Sequence, residues 1–286
     1  MSVPPARLAR RPRAFTLTEL LAVAVIFVIL LSIFVPYVRS KREDAHRARC
    51  ADNLRQIREA FAKYMQQNGD NYPSARGDAQ RPTGYRAFTG PDAADPFAAD
   101  SAVQPNDVTA SLWLLVRGGL AEPKLFVCPS TWDRADARGT STSPRSNFRG
   151  GANLSYSYAT PFAAPTDYRL KGDWVKPGFA VIADRNPGVS VADGDDVLAA
   201  GDDAAKGNSR NHGKAGQNVL FGTSEVAFVR TPYAGEGNDN IYTAQRATPL
   251  AKGETHAANT PGVLDPAVGP AWAADSYLVP TAQDGQ

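Results

Sequence analysis

The sequence of 286 residues is poor in the residues from which metal centres and many active sites are built. Two cysteines do not suffice for a disulfide-dense scaffold or a four-cysteine zinc site, and three histidines leave little for a histidine-rich metal centre. The formal net charge is only +2, which argues against a strongly basic nucleic-acid binder. The chain also lacks the Gly-x-Ser-x-Gly, Gly-x-Gly-x-x-Gly, Walker A and His-Glu-x-x-His motifs. We therefore expect that the protein is not an enzyme.

Charge is distributed unevenly along this nearly neutral chain. Residues 1–14 contain four arginines and no acid, and Glu19 is the only charged residue between positions 15 and 38. Residues 67–286 hold 19 Lys and Arg against 24 Asp and Glu, so the basic excess belongs to the N-terminal segments. A basic segment, an apolar segment and an acidic body in this order are typical of a membrane-directed protein. With 43% hydrophobic residues, the chain is also too apolar to be disordered throughout.

An apolar run at residues 20–35 is long enough to enter a membrane. Ser32 is its only polar residue, and the largely apolar stretch extends over residues 15–38. A helix of that length covers about 36 Å, more than the roughly 30 Å of a bilayer core. A cleaved secretory signal peptide is one interpretation, but no small-x-small cleavage site follows the run. The other is a signal anchor whose N-terminus the arginines of residues 1–14 hold in the cytoplasm.

Neither interpretation accounts for Glu19, a carboxylate directly beside the apolar run. A charged group near the centre of a membrane helix costs about 2.5–3.5 kcal/mol, and less near its end. Such a residue is by default a functional candidate with a partner of opposite charge. Cleavage between Ala14 and Phe15 would create an α-amino group at Phe15. In a neighbouring copy of the chain, this amine would lie in the same plane of the membrane as Glu19, and we expect the two groups to pair.

Residues 13–21, Arg-Ala-Phe-Thr-Leu-Thr-Glu-Leu-Leu, and the apolar run after them resemble the N-terminal segment of type IV pilins and type II secretion pseudopilins. In that family a prepilin peptidase cuts before the Phe and methylates its new amine. The resemblance therefore implies cleavage after Ala14 and methylation of Phe15. The family's Glu at the fifth mature position matches Glu19, which implies a role in filament assembly. The chain departs from the family at Ala14, because the residue before the cut is usually Gly.

The resemblance implies a structural subunit, a pseudopilin or minor pilin, of a type II secretion or type IV pilus-like envelope filament. The expected partners are other pilin or pseudopilin subunits, the prepilin peptidase, an inner-membrane assembly platform and the lipid bilayer, and no nucleic acid is expected. The chain would cross the inner membrane once, with the N-terminus in the cytoplasm and the head outside.

Two other functions remain open. The first is a membrane-anchored extracytoplasmic domain that binds a ligand or performs hydrolysis and uses the pilin-like segment only for export. The second is adhesion or DNA uptake at a pilus tip. It is the weaker alternative, because the net charge of −5 on residues 67–286 argues against a general affinity for DNA.

The helical pattern continues beyond Pro36. Apolar residues recur mainly at steps of three and four between residues 45 and 65, with charged residues on the other faces, which is typical of an amphipathic helix. A Gly and a Pro soon after residue 67 end the pattern. We predict one long helix over residues 15–67 whose first part, residues 15–38, spans the membrane and which Pro36 kinks. A membrane anchor followed by a separate soluble helix is the alternative.

The remaining residues, 68–286, are expected to form a loop-rich head. A short helix is predicted at residues 111–117, and a Gly-containing loop at residues 222–224 joins two β-like runs into a hairpin. The fold class is therefore α+β and pilin-like, with the long helix packed on a small antiparallel sheet. The predicted strands are residues 154–158, 179–183, 217–221 and 225–229.

Long stretches of the head hold little apolar material. Residues 185–215 and 233–286 are therefore expected to be surface loops rather than core. The tail beyond about residue 247 is expected to be poorly ordered.

Several segments beyond the apolar run, one on the long helix and the others in the head, resemble a large bacterial group of pseudopilin-like proteins. That group has a signature of His, nine intervening residues and Asp-Gly. Here His212 is followed after nine residues by Gly222-Thr223, so any role of the group's Asp is not carried over. The matching segments are residues 50–57, 126–130, 154–159, 183–187 and 211–221.

Acidic loops supply candidate calcium ligands. Ca²⁺ binds about six to eight oxygen ligands, which flexible loops of Asp, Asn and Gly provide. Asp193, Asp195 and Asp239 are the preferred candidates, and some major pseudopilins of similar kind hold calcium in their head loops. None of these loops has the spacing of an EF-hand, and acidic loops are also common as solvated surface. No other cofactor is expected.

Cys50 and Cys128 are the only thiols and form a candidate disulfide. A head outside the cytoplasm would permit the bond, and closing a loop of about 78 residues would contribute roughly 4 kcal/mol. Two buried free thiols are the alternative.

His212 lies in a turn-like stretch without a nucleophile motif, and we expect it to be a local hydrogen-bonding residue rather than a catalytic one.

Overall fold

The structure, a computed structural model, describes residues 16–137, 144–164, 167–245 and 262–284. The chain divides into two compact units, Met1–Asp44 and Ala45–Gln286. The described part contains helices α1 (Leu17–Gln67) and α2 (Val108–Arg117). Its strands are β1 (Tyr156–Ala159), β2 (Ala180–Asp184), β3 (Val189–Ser190), β4 (Asp195–Asp196), β5 (Gln217–Phe221), β6 (Val226–Val229) and β7 (Leu278–Val279).

Helix α1 is one unbroken helix that includes Pro36. In its apolar part the Ser32 hydroxyl donates to the carbonyl oxygen of Ile29 at 2.7 Å, so the only polar side chain of the apolar run has a partner inside the helix. The helix ends where Gly69 adopts φ +61°, a left-handed conformation that commonly follows a helix and that glycine accepts without strain. The prediction of one long helix is confirmed over Leu17–Gln67, and the kink at Pro36 stays a prediction.

The head contains a five-stranded antiparallel sheet with the order β6-β5-β2-β1-β7. Strands β5 and β6 form the predicted hairpin, in which Leu220 pairs with Val226. The turn closes because the N–H of Ser224 donates to the carbonyl of Phe221 at 2.8 Å and Ser224 itself takes φ +67°. With the long helix, this sheet confirms the α+β fold class, and all four predicted strands are present within two residues of their predicted bounds.

The second half of α1 packs in the core of the head. The buried side chains on this part of the helix are at positions 50, 54, 57, 60 and 61. Phe61 stacks on Tyr158 of β1 with ring centroids 5.5 Å apart and meets Tyr72 edge-on at 5.4 Å. Aromatic pairs of this kind contribute about 0.5–1.5 kcal/mol beyond the area they bury. Asn53 adds a polar contact, donating to the Val127 carbonyl at 3.0 Å.

Helix α2 begins three residues before the predicted helix, at Val108. Its N-cap is Asp107, whose Oδ1 accepts from the N–H of Ala110 at 2.7 Å and from the Thr109 hydroxyl at 2.8 Å. Asp107 is itself buried, and its Oδ2 accepts from the N–H and hydroxyl of Thr89, so the cap also holds a distant loop. Burial raises the pKa of Asp107 against the opposing effect of these hydrogen bonds.

The C-terminal segment contributes to the core, which the sequence analysis did not predict. Strand β7 pairs with β1, with Val279 opposite Tyr158, and the side chains of Tyr277 to Val279 are fully buried. The expectation of a poorly ordered tail beyond about residue 247 therefore does not hold for residues 262–284, because they cover an edge of the sheet. Residues 246–261 lie outside the described residues.

The two stretches expected to be surface loops also bury side chains. Asn186 and Val197 are fully buried in the first stretch, and Ile241 and Tyr242 in the second. Buried polar side chains in these stretches form hydrogen bonds with the backbone and take the place of apolar side chains in the core. The Asn186 amide, for example, donates to the carbonyl oxygens of Tyr242 and Leu278, both at 2.9 Å. The other short elements of the head are the β3–β4 pair and the 3-10 helices Pro123–Phe126, Gly151–Asn153, Gly172–Trp174, Gly201–Gly207, Arg210–His212 and Glu236–Asn238.

Candidate functional site

The start of α1 is held by reciprocal hydrogen bonds between Thr16 and Glu19. The Glu19 carboxylate accepts from the N–H of Thr16 at 2.9 Å and from its hydroxyl at 2.8 Å, and the Thr16 hydroxyl accepts from the N–H of Glu19 at 3.3 Å. This is a capping box, in which two side chains satisfy backbone donors that a helix start leaves without partners. Ala14 and Phe15, the predicted processing site, lie outside the described residues.

The capping box gives Glu19 a role within a single helix that the sequence analysis did not consider. The Thr-x-x-Glu spacing of residues 16–19 was the signal that could have shown it. The assembly role of Glu19 stays a prediction, because capping alone accounts for a carboxylate at this position. Any test of Glu19 must therefore separate its charge from its cap.

Among the residues that the structure describes, the side chains of the apolar part of α1 are exposed. The helix contains an 18-residue window with a mean hydropathy of 2.9, none of it buried, and by length and composition it could cross a membrane. A contiguous apolar surface of this kind marks contact with lipid or with another protein. Its large exposed side chains are Leu17, Leu20, Leu21, Val23, Val25, Ile26, Phe27, Val28, Ile29, Leu30, Leu31, Ile33, Phe34 and Val35.

In the head, a buried polar cluster brings together Cys50, Cys128, Asp184 and His212. Cys50 lies on α1, Cys128 follows the 3-10 helix Pro123–Phe126, Asp184 ends β2, and His212 ends a short 3-10 helix. The two cysteines are joined as a disulfide with their Cα atoms 5.4 Å apart, as the sequence analysis favoured. The four side chains are at most 1% exposed, and their ligand atoms lie within 4.8 Å of one another.

Asp184 is the negative centre of this cluster. Its Oδ2 accepts from the backbone N–H of Asn218 at 2.6 Å and from the Asn218 amide at 3.2 Å, and its Oδ1 accepts from the Asn211 amide at 3.0 Å. Hydrogen bonds of this kind stabilise an ionised carboxylate out of contact with water. The Asp184 charge also contributes to the raised pKa of Tyr156, after burial, which is the larger cause.

His212 contacts both Asp184 and Cys128. Its Nε2 lies 3.3 Å from Asp184 Oδ2 and 3.7 Å from Cys128 Sγ, and its Nδ1 lies 3.1 Å from the Ser130 hydroxyl. These contacts agree with a local hydrogen-bonding role. Asp184 was not predicted as a member of this cluster, because its four residues are far apart along the chain and meet only in the fold.

Two of the three candidate calcium ligands pair with basic side chains. Asp193 and Asp195 both form ion pairs with Arg210, and Lys214 lies 2.8 Å from Asp195. A hydrogen bond from Ser190, with the Arg210 charge as a second cause, lowers the pKa of Asp193. Calcium binding here stays a prediction and would have to displace these cations.

The third candidate ligand, Asp239, has a different set of partners. It is fully buried and accepts from the Gln245 amide and from the N–H of Ser276, both at 2.8 Å. Gln245 also joins it to buried Asp275, which accepts from the backbone N–H of Gln245. Burial raises the pKa of Asp275 to about 7, and burial together with the Asp275 charge raises the pKa of Asp239. The structure thus places Asp239 in a buried carboxyl pair.

Comparisons with protein-family models, with curated proteins and with solved structures find no match for this chain. A long N-terminal apolar helix and a small antiparallel sheet are the elements expected of a pilin-like fold, and the helix is compatible with a membrane-anchored protein. A more specific function for this chain has to be argued from its own residues.

Proposed function

We propose that the chain is a structural subunit, a pseudopilin or minor pilin, of a type II secretion or type IV pilus-like envelope filament. A prepilin peptidase cleaves it after Ala14, and the mature subunit assembles through its N-terminal helices. It acts as a building block and not as an enzyme.

The observation that carries this proposal is the apolar surface of α1 over residues 17–35, which is exposed among the residues that the structure describes. Lipid covers such a surface while the subunit is in the membrane. Once the subunit leaves the membrane, only other apolar helices can cover it without exposing it to water. Repeating one head-to-tail contact of this kind produces an open helical filament.

Charge sets the direction of insertion. The four arginines of residues 1–14 keep the N-terminus in the cytoplasm by the positive-inside rule, so the head lies on the other side of the inner membrane. In the filament the Glu19 carboxylate pairs with the Phe15 amine of a neighbouring subunit and fixes the register of the two helices. The remaining partners are the peptidase and an inner-membrane assembly platform.

The capping box supports a second candidate function. An anchor that never assembles also benefits from a capped helix, so Glu19 is compatible with a membrane-anchored extracytoplasmic domain that binds or hydrolyses a ligand. The two functions differ in processing, because an anchor has no need of cleavage after Ala14.

Mass spectrometry of the protein extracted from membranes tests the proposal. We expect an N-terminus at Phe15 carrying a methyl group when an active prepilin peptidase is present. Ala14→Gly, which restores the residue usual in the family, should be cleaved at least as fast as the parent, and the bulky Ala14→Leu should be cleaved more slowly. An intact Met1 in cells with active peptidase would contradict the filament subunit and favour the anchored domain.

A further inference from the structure

The cluster of Cys50, Cys128, Asp184 and His212 has no part in the proposed assembly. It combines two sulfur atoms, an imidazole nitrogen and a carboxylate oxygen from four separate segments in one buried place. These are the ligand types that Zn²⁺ binds, and four of them make a closed structural site. Two of the four groups, the imidazole and the carboxylate, are not needed by a disulfide.

We propose that the dithiol form of the protein binds one Zn²⁺ ion through Cys50, Cys128, Asp184 and His212, and that the disulfide is the alternative state of the same site. With Zn–S about 2.3 Å and Zn–N or Zn–O about 2.0–2.1 Å, a tetrahedral site places its N and O ligands about 3.3 Å apart and its S and N ligands about 3.6 Å apart. The structure has 3.3 Å between His212 Nε2 and Asp184 Oδ2 and 3.7 Å between His212 Nε2 and Cys128 Sγ. Two edges of the tetrahedron are thus already formed.

The groups around the cluster hold the ligands in the states that zinc requires. A coordinating imidazole is neutral and usually donates its other N–H to a fixed acceptor, and Ser130 Oγ lies 3.1 Å from Nδ1 of His212. The N–H of Asn218 and the amide of Asn211 hold the Asp184 carboxylate. The Tyr156 hydroxyl donates to Cys50 Sγ at 3.4 Å, a contact that also suits a thiolate.

The zinc-bound and disulfide states interconvert by oxidation and reduction of the two cysteines. Two thiols and Zn²⁺ give two zinc–thiolate bonds and release two protons. Oxidation of the two zinc-bound thiolates by a small disulfide forms the Cys50–Cys128 bond, takes up two protons as the small disulfide becomes two thiols, and removes both sulfur ligands from the metal. The site therefore holds zinc only while the cysteines are reduced, and its four protein ligands leave no open position for catalysis.

The test uses the full chain in detergent micelles, with Co²⁺ as a spectroscopic substitute for Zn²⁺. The unfolded protein is reduced with a phosphine, which takes up the oxygen of one water for each disulfide that it reduces. The reduced chain is then refolded with Co²⁺, with Zn²⁺ or with a chelator. We expect one bound Co²⁺ per reduced chain, with a thiolate-to-metal charge-transfer band and the visible absorption of a tetrahedral site, and no such absorption from the oxidised chain. Zn²⁺ should displace the Co²⁺ and abolish both bands.

Three variants make the test specific. His212→Ala removes one ligand and should weaken metal binding at least about 100-fold, since the loss of even an outer partner costs 10–100-fold. The double variant Cys50→Ser and Cys128→Ser should lose the charge-transfer band completely. Asp203→Asn, which changes an exposed carboxylate paired with Lys206, should bind metal as the parent does.

The oxidised form of His212→Ala shows separately whether that variant folds. The other outcomes of the metal-binding test count against the site. Binding of Co²⁺ without a thiolate band, binding unaffected by His212→Ala, or binding lost in Asp203→Asn would overturn the proposal. A reduced parent chain that stays unfolded with zinc, or that folds without binding it, would overturn the proposal equally.

Discussion

Replacing Thr16 and Glu19 one at a time separates the charge of Glu19 from its capping role. Thr16→Ala removes the hydroxyl that accepts from the Glu19 N–H and donates to its carboxylate, but leaves the charge in place. Loss of an N-cap side chain costs about 0.5–2 kcal/mol of helix stability. Glu19→Gln removes the charge but leaves a residue that also serves in a capping box.

The two variants should affect assembly to very different degrees. If the Glu19 carboxylate pairs with a neighbour's Phe15 amine, Glu19→Gln leaves that amine unpaired in low dielectric, a loss of about 3–5 kcal/mol per contact. This lowers the association constant by a factor of at least about 100, whereas about 1 kcal/mol from Thr16→Ala lowers it about fivefold. Membrane insertion of the single subunit should be unharmed in Glu19→Gln, because a costly membrane charge has been removed.

The assay compares membrane levels by immunoblot with filament yield or secretion for the parent, Thr16→Ala, Glu19→Gln and Glu19→Ala. We expect normal membrane levels throughout, nearly normal assembly in Thr16→Ala and loss of assembly in both Glu19 variants. Assembly of Glu19→Gln at the level of the parent would refute the pairing, and so would a loss in Thr16→Ala as severe as in Glu19→Gln.

Two further predictions concern the head. Replacing Cys50 and Cys128 together by Ala removes a bond that closes a loop of 78 residues. In the chain-entropy model this should lower the free energy of unfolding, measured by urea unfolding, by about 4.5 kcal/mol. A loss below about 1 kcal/mol would contradict the model. Asp275 has a pKa raised to about 7 in the folded protein, so between about pH 4 and 7 the folded state holds a proton that the unfolded state has lost. The free energy of unfolding should therefore fall as the pH rises through this window, with Asp275 alone contributing up to about 1.4 kcal/mol per pH unit. Asp275→Asn should make this dependence less steep, and an equal slope in the variant and the parent would contradict the assignment.

The elements that were predictable are those that a local pattern encodes. The apolar run and the repeat of apolar residues after it predicted α1, and the Gly-containing loop between two apolar runs predicted the β5–β6 hairpin. The start of α2 was misplaced because its cap, Asp107, lies before the apolar run and is recognisable only by what its side chain contacts.

The missed elements depend on residues distant in sequence. Strand β7 has only two residues, and its pairing with Tyr158 joins positions more than a hundred residues apart, so no local signal marks it. The cluster around Asp184 is formed in the same way, by segments that meet only in the folded chain. Polar residues such as Asn186 replace apolar mass in the core by bonding backbone groups, and composition alone therefore made these stretches resemble surface loops.

The most direct test of the central claim asks what covers the apolar surface of α1 in the cell. A photoreactive amino acid at Ile26, whose side chain is 58% exposed, reports on the molecules that touch this surface. We predict crosslinks to a second copy of the chain, or to another subunit with a similar N-terminal segment, in cells with an active prepilin peptidase, and their loss when the peptidase is absent. Crosslinks to lipid alone in cells that carry the complete assembly machinery would contradict a filament subunit.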